Sequence, residues 1–370
     1  MSAHLTRKRA RSDEEEEDLP PTKRELPDQN RDEGAAGSAQ TEDRASADGE
    51  VSKEDEEFWF EDGTVILVAR DVKFRFYEGL LAGLSPVFKD MFAERRANPG
   101  MGEVLALSCL VVHVSDSPED LRHLLRVCFS RRLGSLYEER SPSYDEISAA
   151  IRLGDKYKIT DLYSQSLAYL KRYFPSNFDS WNALSVCGPP GWETVEDIGA
   201  INLARFTGEL SILPSAFVAC ICAGPEATGI GHGIARKDVT HEHLSPDDLT
   251  VCFNGKTGLR MATVTAFLRT MKPTVSQDCT ASSACRRALR EVLLNLEEHI
   301  EYLLSGNPFA GYEKVFGTRA SLAVCSPCSA MVRERSLKER KDVWDRLPEL
   351  LGIDVPGWKE QPPPPPLSHK

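Results

Sequence analysis

Four cysteines in the C-terminal half of the chain have the residue type and the spacing of a metal site. Cys325 and Cys328 form a Cys-x2-Cys pair, the ligand spacing of structural zinc sites, and Cys279 and Cys285 form a second, wider pair. Thiolate-rich tetrahedral sites select zinc, and four protein ligands leave no open position for a water molecule. The pattern predicts one structural zinc bound by Cys279, Cys285, Cys325 and Cys328, with sulfur atoms within about 4 Å of one another.

Two other interpretations of these cysteines stay open at this point. Ordinary thiols near helix starts would give the same sequence, and the first pair is wider than zinc knuckles usually are. A Cys-x2-Cys pair at a helix start can also hold a thiolate of low pKa and carry out disulfide exchange. Redox domains of that kind place the pair after a strand in a βαβ pattern, whereas the residues around Cys325 predict helix. This context favours a metal over disulfide exchange.

The other clusters of reactive residue types lack the context that catalysis needs. The loop Gly229–Gly233 follows no strand that begins a βαβ unit, and no lysine–serine pair closes it as in a nucleotide-binding loop. His241 and His243 flank Glu242 without a further ligand nearby in sequence, which is typical of solvated loop histidines. No nucleophile elbow, zinc-protease helix motif or kinase signature is present. The sequence predicts no catalytic residue and no enzyme activity.

Residues 58–174 alternate between strand-like and helix-like patterns, which predicts an α/β (α+β) domain. Gly63–Arg70 and Lys73–Tyr77 are rich in β-branched and aromatic residues and predict two paired strands. Ser85-Pro86 interrupts an apolar helical pattern and predicts two short helices, after which a third strand and further helices follow. The helical spacing places Phe88 and Leu121 in the core of this domain.

Residues 175–360 have helical periodicity, which predicts an all-helical C-terminal domain. Long amphipathic helices are predicted over Ala284–Leu304 and Ser326–Arg346. The starts of these two helices lie next to the two cysteine pairs, so the helices would carry the metal ligands. The apolar run Ala216–Ala223, with Cys220 and Cys222 in it, is predicted to be core.

The two ends of the chain have the composition of disordered segments. Residues 1–57 contain no Phe, Trp or Tyr, and they carry −9 of the net charge of −12. Such an acidic tail cannot bury enough apolar surface to offset the entropy of ordering it. Residues 361–370 are Pro-rich and are likewise predicted to be disordered. The other parts of the chain together carry only −3, which argues against direct nucleic-acid binding.

A basic cluster of Arg7, Lys8, Arg9 and Arg11 in the acidic tail has the composition of a nuclear-import signal. An acidic run follows directly, so a charge-balanced solvated tail is the open alternative. The ten cysteines are thinly spread, the N-terminus lacks a signal-peptide pattern, and the apolar runs are too short to span a bilayer. These features predict an intracellular protein of the nucleus or the cytoplasm, without membrane association.

The segment from Phe58 to Met91 closely resembles a BTB/POZ domain of the kind found in fungal proteins. Matching positions over this segment and its continuation are Asp62-Gly63, Phe74, Phe76, Leu81-Ala82, Ser85-Pro86, Phe88, Val114–Ser117, Asp120-Leu121, Arg152–Gly154 and Lys156-Tyr157. Tyr77 departs from the pattern, because the family usually has histidine there. Beyond Pro175 the chain is similar to the C-terminal region of those fungal proteins, at positions that include Cys325–Cys328, Val343-Trp344 and Leu347-Pro348.

The resemblance implies that residues 58–174 are a BTB/POZ domain and that the chain is a scaffold or adaptor for protein–protein interaction. Similar domains commonly self-associate as two-fold homodimers, and some recruit cullin-type ubiquitin ligases. The mechanism would be burial of a packed apolar surface of order 1,000 Å², not bond chemistry. The alternative functions are a nuclear transcriptional regulator and a thiol-dependent enzyme.

Overall fold

The computed structural model describes residues 52–97, 109–130, 136–137, 141–184, 188–193, 196–222, 230–237, 240–313 and 322–358. All of them belong to one compact unit that spans residues 50–370. The predicted import signal of Arg7, Lys8, Arg9 and Arg11 lies outside the described residues, as do most of the predicted acidic tail and the Pro-rich end. The predictions for those segments therefore stay predictions.

A four-stranded mixed sheet forms the first part of the described chain. Its strands lie in the order β1-β3-β2-β4 and are β1 (Lys53–Trp59), β2 (Val65–Ala69), β3 (Val72–Phe76) and β4 (Leu110–Val114). β2 and β3 form an antiparallel hairpin, whereas β2 pairs with β4 and β1 pairs with β3 in parallel. Every residue of β2 is buried, because the strand is central and apolar side chains cover both of its faces. The predicted strands are confirmed.

Five helices complete this first part: α1 (Glu78–Leu84), α2 (Pro86–Ala97), α3 (Pro118–Ser130), α4 (Tyr144–Lys156) and α5 (Thr160–Tyr173). The predicted break between two short helices is confirmed at Ser85. Its hydroxyl accepts the N–H of Phe88 at 3.0 Å and donates to the carbonyl oxygen of Tyr157 at 2.6 Å. Phe88 and Leu121 are fully buried in one hydrophobic core, as predicted.

The first strand begins before the predicted boundary between tail and domain at residue 58. β1 starts at Lys53, although most of its side chains are charged. Asp55 explains the difference, because its buried carboxylate accepts the N–H groups of Glu57 and Phe58 and pairs with Arg122 at 2.6 Å. The remaining charges lie along an edge strand, where charged side chains hinder pairing with other chains.

The second part of the described chain is mostly helical. Its helices are α6 (Phe178–Ala183), α7 (Asp197–Thr207), α8 (Leu213–Cys222), α9 (Pro246–Thr270), α10 (Ser282–Leu294), α11 (Ile300–Leu304), α12 (Ser326–Asp345) and α13 (Leu347–Leu351). The predicted long helix over Ser326–Arg346 is confirmed apart from its last residue. Cys220 is buried in α8, as predicted, and Cys222 at its end is half-buried.

Two predictions for the second part are wrong. The helix predicted over Ala284–Leu304 is broken at Asn295, a residue whose side chain competes with the helix backbone, and a 3-10 turn follows over Leu296–His299. The domain is also not all-helical, since β5 (Ile234–Ala235) pairs with β6 (His241–Glu242) in an antiparallel hairpin. Strands this short have no recognisable period in sequence.

Helices α4 and α5 are shared between two hydrophobic cores. Leu153 and Leu162 pack in the core beside the sheet. Ile151 and Leu170 of the same two helices pack in the core of the helical part. The predicted boundary at residues 174 and 175 therefore follows directly after helices that are buried in both cores, and it is not an exposed linker.

A buried charge cluster ties the β5–β6 hairpin to the first part of the chain. Arg236, whose side chain is 7% exposed, donates from Nη2 to Asp120 Oδ1 at 2.6 Å and from Nε to Asp145 Oδ1 at 3.0 Å. Glu242 accepts from Tyr144 Oη at 2.5 Å and from Arg152 Nη2 at 3.0 Å. Because an unpaired buried charge is costly, these partners hold the hairpin in one position.

The described chain is thus a mixed helix-and-sheet protein in which helix predominates. Within its described parts, none of the helices combines the length and the apolar character that crossing a bilayer requires.

We predict that Phe88→Ala lowers the free energy of unfolding by roughly 3–5 kcal/mol, because a fully buried ring is lost and a cavity is left. The ring of Phe88 stacks on Tyr157 with centroids 4.1 Å apart. Urea denaturation followed by far-UV circular dichroism measures the change. The neighbouring exposed Lys89→Ala is the control and should change stability by no more than about 0.5 kcal/mol. A loss below about 1 kcal/mol for Phe88→Ala would contradict the packing described for α2.

Candidate metal centre

Two helix starts and one loop bring the four predicted cysteine ligands together. Cys279 lies in the loop between α9 and α10, and Cys285 lies in the first turns of α10. Cys325 is the residue that precedes α12, and Cys328 lies in its first turn. Pro327 suits this position, because the first turn of a helix has no intrahelical acceptor for the N–H that proline lacks. The starts of α10 and α12 therefore place Cys285, Cys325 and Cys328, and the loop before α10 places Cys279.

The four sulfur atoms form one compact cluster. Those of Cys279, Cys285, Cys325 and Cys328 all lie within 4.8 Å of one another, and the sulfur atoms of Cys279 and Cys325 are 3.7 Å apart. A tetrahedral zinc with Zn–S bonds of about 2.3 Å has sulfur–sulfur edges of about 3.8 Å. The prediction that the two pairs meet is confirmed, although the cluster is somewhat wider than predicted. Within the described ranges, no other group of His, Cys, Asp and Glu has such an arrangement.

Backbone N–H groups point at three of the four sulfur atoms. The N–H of Cys325 donates to the sulfur of Cys285 at 3.3 Å, and the N–H of Ser276 donates to the sulfur of Cys328 at 3.4 Å. The sulfur of Cys325 accepts from the N–H groups of Cys328 and Thr280. Hydrogen-bond donors stabilise the thiolate form over the thiol. Three of these four bonds also cross between α12 and the segment of the first pair.

The thiols of the Cys-x2-Cys pair have opposite pKa shifts. The backbone N–H groups of Cys328 and Thr280 lower the pKa of Cys325 to about 6. Burial raises the pKa of Cys328 to about 12. At neutral pH the first cysteine of the pair is therefore a thiolate and the second is a thiol. A divalent metal ion would displace the remaining thiol protons, because its ligands are deprotonated.

Residues around the cluster hold its backbone in place. Arg335 of α12 donates from Nη1 to the carbonyl oxygens of Lys272 and Thr274, and from Nη2 to Thr274 Oγ1 at 2.6 Å. Beside the cluster lies a small, separate hydrophobic core whose buried members are Phe267, Met271, Leu289, Val292, Leu303, Tyr312 and Val332. Leu289 and Val292 come from α10 and Val332 comes from α12, the two helices that also carry Cys285 and Cys328.

The arrangement can hold a metal ion with four sulfur ligands. Soft thiolate donors suit zinc, copper(I) and iron–sulfur chemistry. Thiol–disulfide exchange needs only a thiolate and a second thiol, which Cys325 and Cys328 could supply. That chemistry gives no role to Cys279 and Cys285, which stand equally close. Metal binding accounts for all four side chains.

Among the described residues, His241 and His243 belong to no cluster of metal-ligating side chains. His241 and His243 are exposed, and their rings stack with centroids 6.2 Å apart. Gly233 has φ of +78°, and a Cβ there would lie 2.3 Å from the carbonyl oxygen of Glu242. The absence of a side chain at Gly233 therefore allows the backbone before β5 to lie close to β6. Gly229 lies outside the described residues.

Several contributors to the centre were not predicted from the sequence. Ser276 and Thr280 act through backbone N–H groups, which every residue except proline has, so their identity carries no recognisable signal. Arg335 reaches the loop from more than sixty residues away along the chain, and no local pattern indicates that contact. The spacing of the cysteines identified the ligands but not the groups that orient them.

Comparison with known proteins gives no family for this chain. No protein-family model matches it, and no curated protein matches it.

We predict that Cys325 is the cysteine of the cluster that iodoacetamide alkylates fastest at pH 7 in metal-free protein, because its lowered pKa makes it a thiolate. Cys328, with its raised pKa, should react slowest. Timed quenching and peptide mass spectrometry measure the rates. Cys222, a half-buried thiol outside the cluster, is the internal reference. A rate for Cys325 no higher than that for Cys222 would contradict the hydrogen bonding described for its sulfur.

Proposed function

We propose that Cys279, Cys285, Cys325 and Cys328 bind one structural zinc ion. The observation that carries this proposal is the approach of all four sulfur atoms to within 4.8 Å of one another. Zinc has no redox chemistry of its own and accepts tetrahedral sulfur ligation without a strained geometry. With four protein ligands the site is closed, so the ion would hold the fold together and would activate no water.

The place of the cluster in the fold supports a structural role. The small hydrophobic core beside it contains few buried side chains and is separate from the two larger cores. A core of that size contributes little stability, and small modules are commonly stabilised by a metal. The zinc would fasten the start of α12 to α10 and to the loop after α9.

We predict about one zinc per chain in protein purified without added chelator, measured by inductively coupled plasma mass spectrometry. Cys285→Ser and Cys328→Ser should lose the zinc and lower the melting temperature, because the oxygen ligand is weaker and leaves a buried site incomplete. Cys222→Ser is the matched control and should keep the zinc, since a hydroxyl can still donate to the carbonyl oxygen of Gly306 that the thiol contacts at 3.2 Å. Wild-type protein without any bound zinc would exclude the proposal.

We propose further that the chain is a protein-interaction scaffold or adaptor that acts through a BTB/POZ-type domain over residues 58–174. The order and pairing of the elements support this: an antiparallel hairpin, a helical hairpin, a strand parallel to the first strand of the hairpin, and then helices. The same stretch carries the sequence resemblance. Since α4 and α5 also pack in the second core, the domain would function within the larger unit.

An aromatic patch with one exposed and two partly buried rings offers a surface for this function. We define it as Phe60, Tyr77 and Phe129; the ring of Phe129 is 55% exposed and stacks on Phe60 with centroids 5.6 Å apart. The ring of Tyr77 lies 5.2 Å from that of Phe60. Arg126 and Glu57 form an exposed ion pair one turn before Phe129. An aromatic centre with a charged rim is the usual composition of an interaction hot spot.

We predict that the full chain sediments as a dimer at micromolar concentration and that Phe129→Ser shifts it toward monomer. The physical reason is that truncating an exposed aromatic anchor removes much of the apolar area an interface buries. Phe206→Ser is the control, because Phe206 is 48% exposed on α7, away from the patch. A wild-type chain that is monomeric throughout would exclude self-association and leave adaptor function through a different partner.

Three further functions suggested by the sequence are also proposals. Recruitment of a cullin-type ubiquitin ligase follows from the resemblance and would use the same domain. A nuclear transcriptional regulator is the alternative; the cluster of Arg7, Lys8, Arg9 and Arg11 would supply its nuclear import, whereas the near-neutral charge of the other parts of the chain argues against nucleic-acid binding. A thiol-dependent enzyme is the third function, and zinc content distinguishes it, because a metal-bound thiolate is not free to exchange disulfides.

A further inference from the structure

One face of α9 is apolar and exposed to solvent. Phe253, Met261 and Leu268 are 72%, 66% and 40% exposed. Together with Thr257 and the half-buried Val264 they recur at intervals of three, four and seven residues, so they lie on one side of the helix. We call these five residues the α9 stripe. From Phe253 to Leu268 the stripe is about 22 Å long at 1.5 Å per residue.

Neighbouring helices border the α9 stripe on both sides. On one side α11 packs beside α9, since Arg260 Nε donates to the carbonyl oxygen of Leu304 at 3.2 Å. On the other side α12 packs beside α9, where Arg269 pairs with Glu339 at 3.3 Å. Leu304 is itself exposed. The stripe is thus a strip of α9 surface with a helix along each side, exposed at Phe253, Met261 and Leu268 and partly covered at Val264, which packs against the small hydrophobic core.

After its first turn, the charged side chains of α9 itself all have one sign. After its first turn α9 carries Lys256, Arg260 and Arg269 and no acidic residue. Lys256 and Arg260 follow Phe253 by three and seven residues, so they lie along the same side of the helix as the stripe. In the described parts of the chain, neither has a carboxylate within 4.0 Å, whereas Arg269 is paired with Glu339. Two cations without acidic partners stand beside an exposed apolar strip.

We propose that the α9 stripe is a docking site for an acidic amphipathic helix of a partner protein. A helix laid along a strip of this length would place three or four apolar side chains on the stripe, at the spacing typical of helix-in-groove recognition. Acidic residues at the edge of its apolar face would pair with Lys256 and Arg260 and supply the charge complementarity that gives orientation and specificity. This surface is separate from the aromatic patch and does not require self-association.

Two other occupants fit less well. A second copy of the chain would bring α9, with only basic side chains after its first turn, against itself in a two-fold arrangement, and like charges there oppose association. The run Asp13–Asp18 of this chain is acidic but contains no apolar residue, so it cannot fill the stripe. A partner helix supplies both the apolar side chains and the acids.

The test uses the full chain and two fluorescent synthetic helices of about 20 residues, long enough to cover the stripe. Both peptides carry the same leucine and phenylalanine positions; one has glutamate and the other lysine at the flanking positions. Fluorescence anisotropy should show the acidic peptide binding at least about tenfold tighter than the basic one, a difference that a small number of charge pairs can supply. Phe253→Asp and Met261→Asp should each weaken binding of the acidic peptide by about tenfold or more, and Lys256→Glu should reduce the preference for it.

Leu294→Asp is the matched control, since Leu294 is as exposed as Phe253 but lies on α10 outside the stripe. It should leave binding unchanged, and circular dichroism and zinc content should be unchanged in all variants. Equal affinity for the two peptides, absence of binding, or insensitivity to Phe253→Asp would each overturn the proposal. Sedimentation of the same variants tests the competing occupant: a dimer that Phe253→Asp dissociates and Phe129→Ser leaves intact would assign the stripe to a second copy, with Arg260 facing a residue such as Glu301.

Discussion

Burial of α4 and α5 on two sides is the constraint on which the described fold depends. One side of this helical pair closes the core beside the sheet, and the other side closes the core of the helical part. Neither core would be complete without the pair, since each would expose leucine and isoleucine side chains to water. The sheet, the helical hairpin and the later helices are therefore arranged around α4 and α5. This arrangement explains why residues 50–370 form a single compact unit.

Close packing of neighbouring helices against α4 and α5 restricts which side chains can lie between them. A Cβ on Gly199 of α7 would lie 2.1 Å from the ring of Tyr144 in α4, so only glycine allows this approach. The hydroxyl of Tyr144 donates a hydrogen bond to Glu242, and this bond joins α4 to the β5–β6 hairpin. Arg236, which follows β5, forms ion pairs with Asp120 of α3 and Asp145 of α4 and so joins the hairpin to both helices. Buried polar groups of this kind specify position more than they add stability, because desolvation offsets most of their attraction.

The cysteine cluster lies beside a third, separate hydrophobic core and not beside α4 and α5. The hydrophobic core beside this cluster is small, and its side chains come from α9 and α11 as well as from α10 and α12. Four sulfur atoms, oriented by backbone N–H groups, could replace a larger apolar core as the link between these segments. The adjoining α9 is buried against α8, α12 and α13 but leaves the α9 stripe open. With the proposed zinc bound, the loop that follows α9 would be fixed, and the exposed apolar face of the helix would be available to a partner.

Local patterns in the sequence determined the elements and the ligands. The strand-like patterns and the Ser85-Pro86 break depend on neighbouring residues, and they were predicted correctly, as was the cysteine set from its spacing. Only the tertiary structure decided what joins distant segments. Arg236 and Asp120 are 116 residues apart, and the exposed side of α9 depends on which neighbours cover its other sides. Such contacts produce no repeating pattern in the sequence, because the packing of distant segments determines which side chains meet.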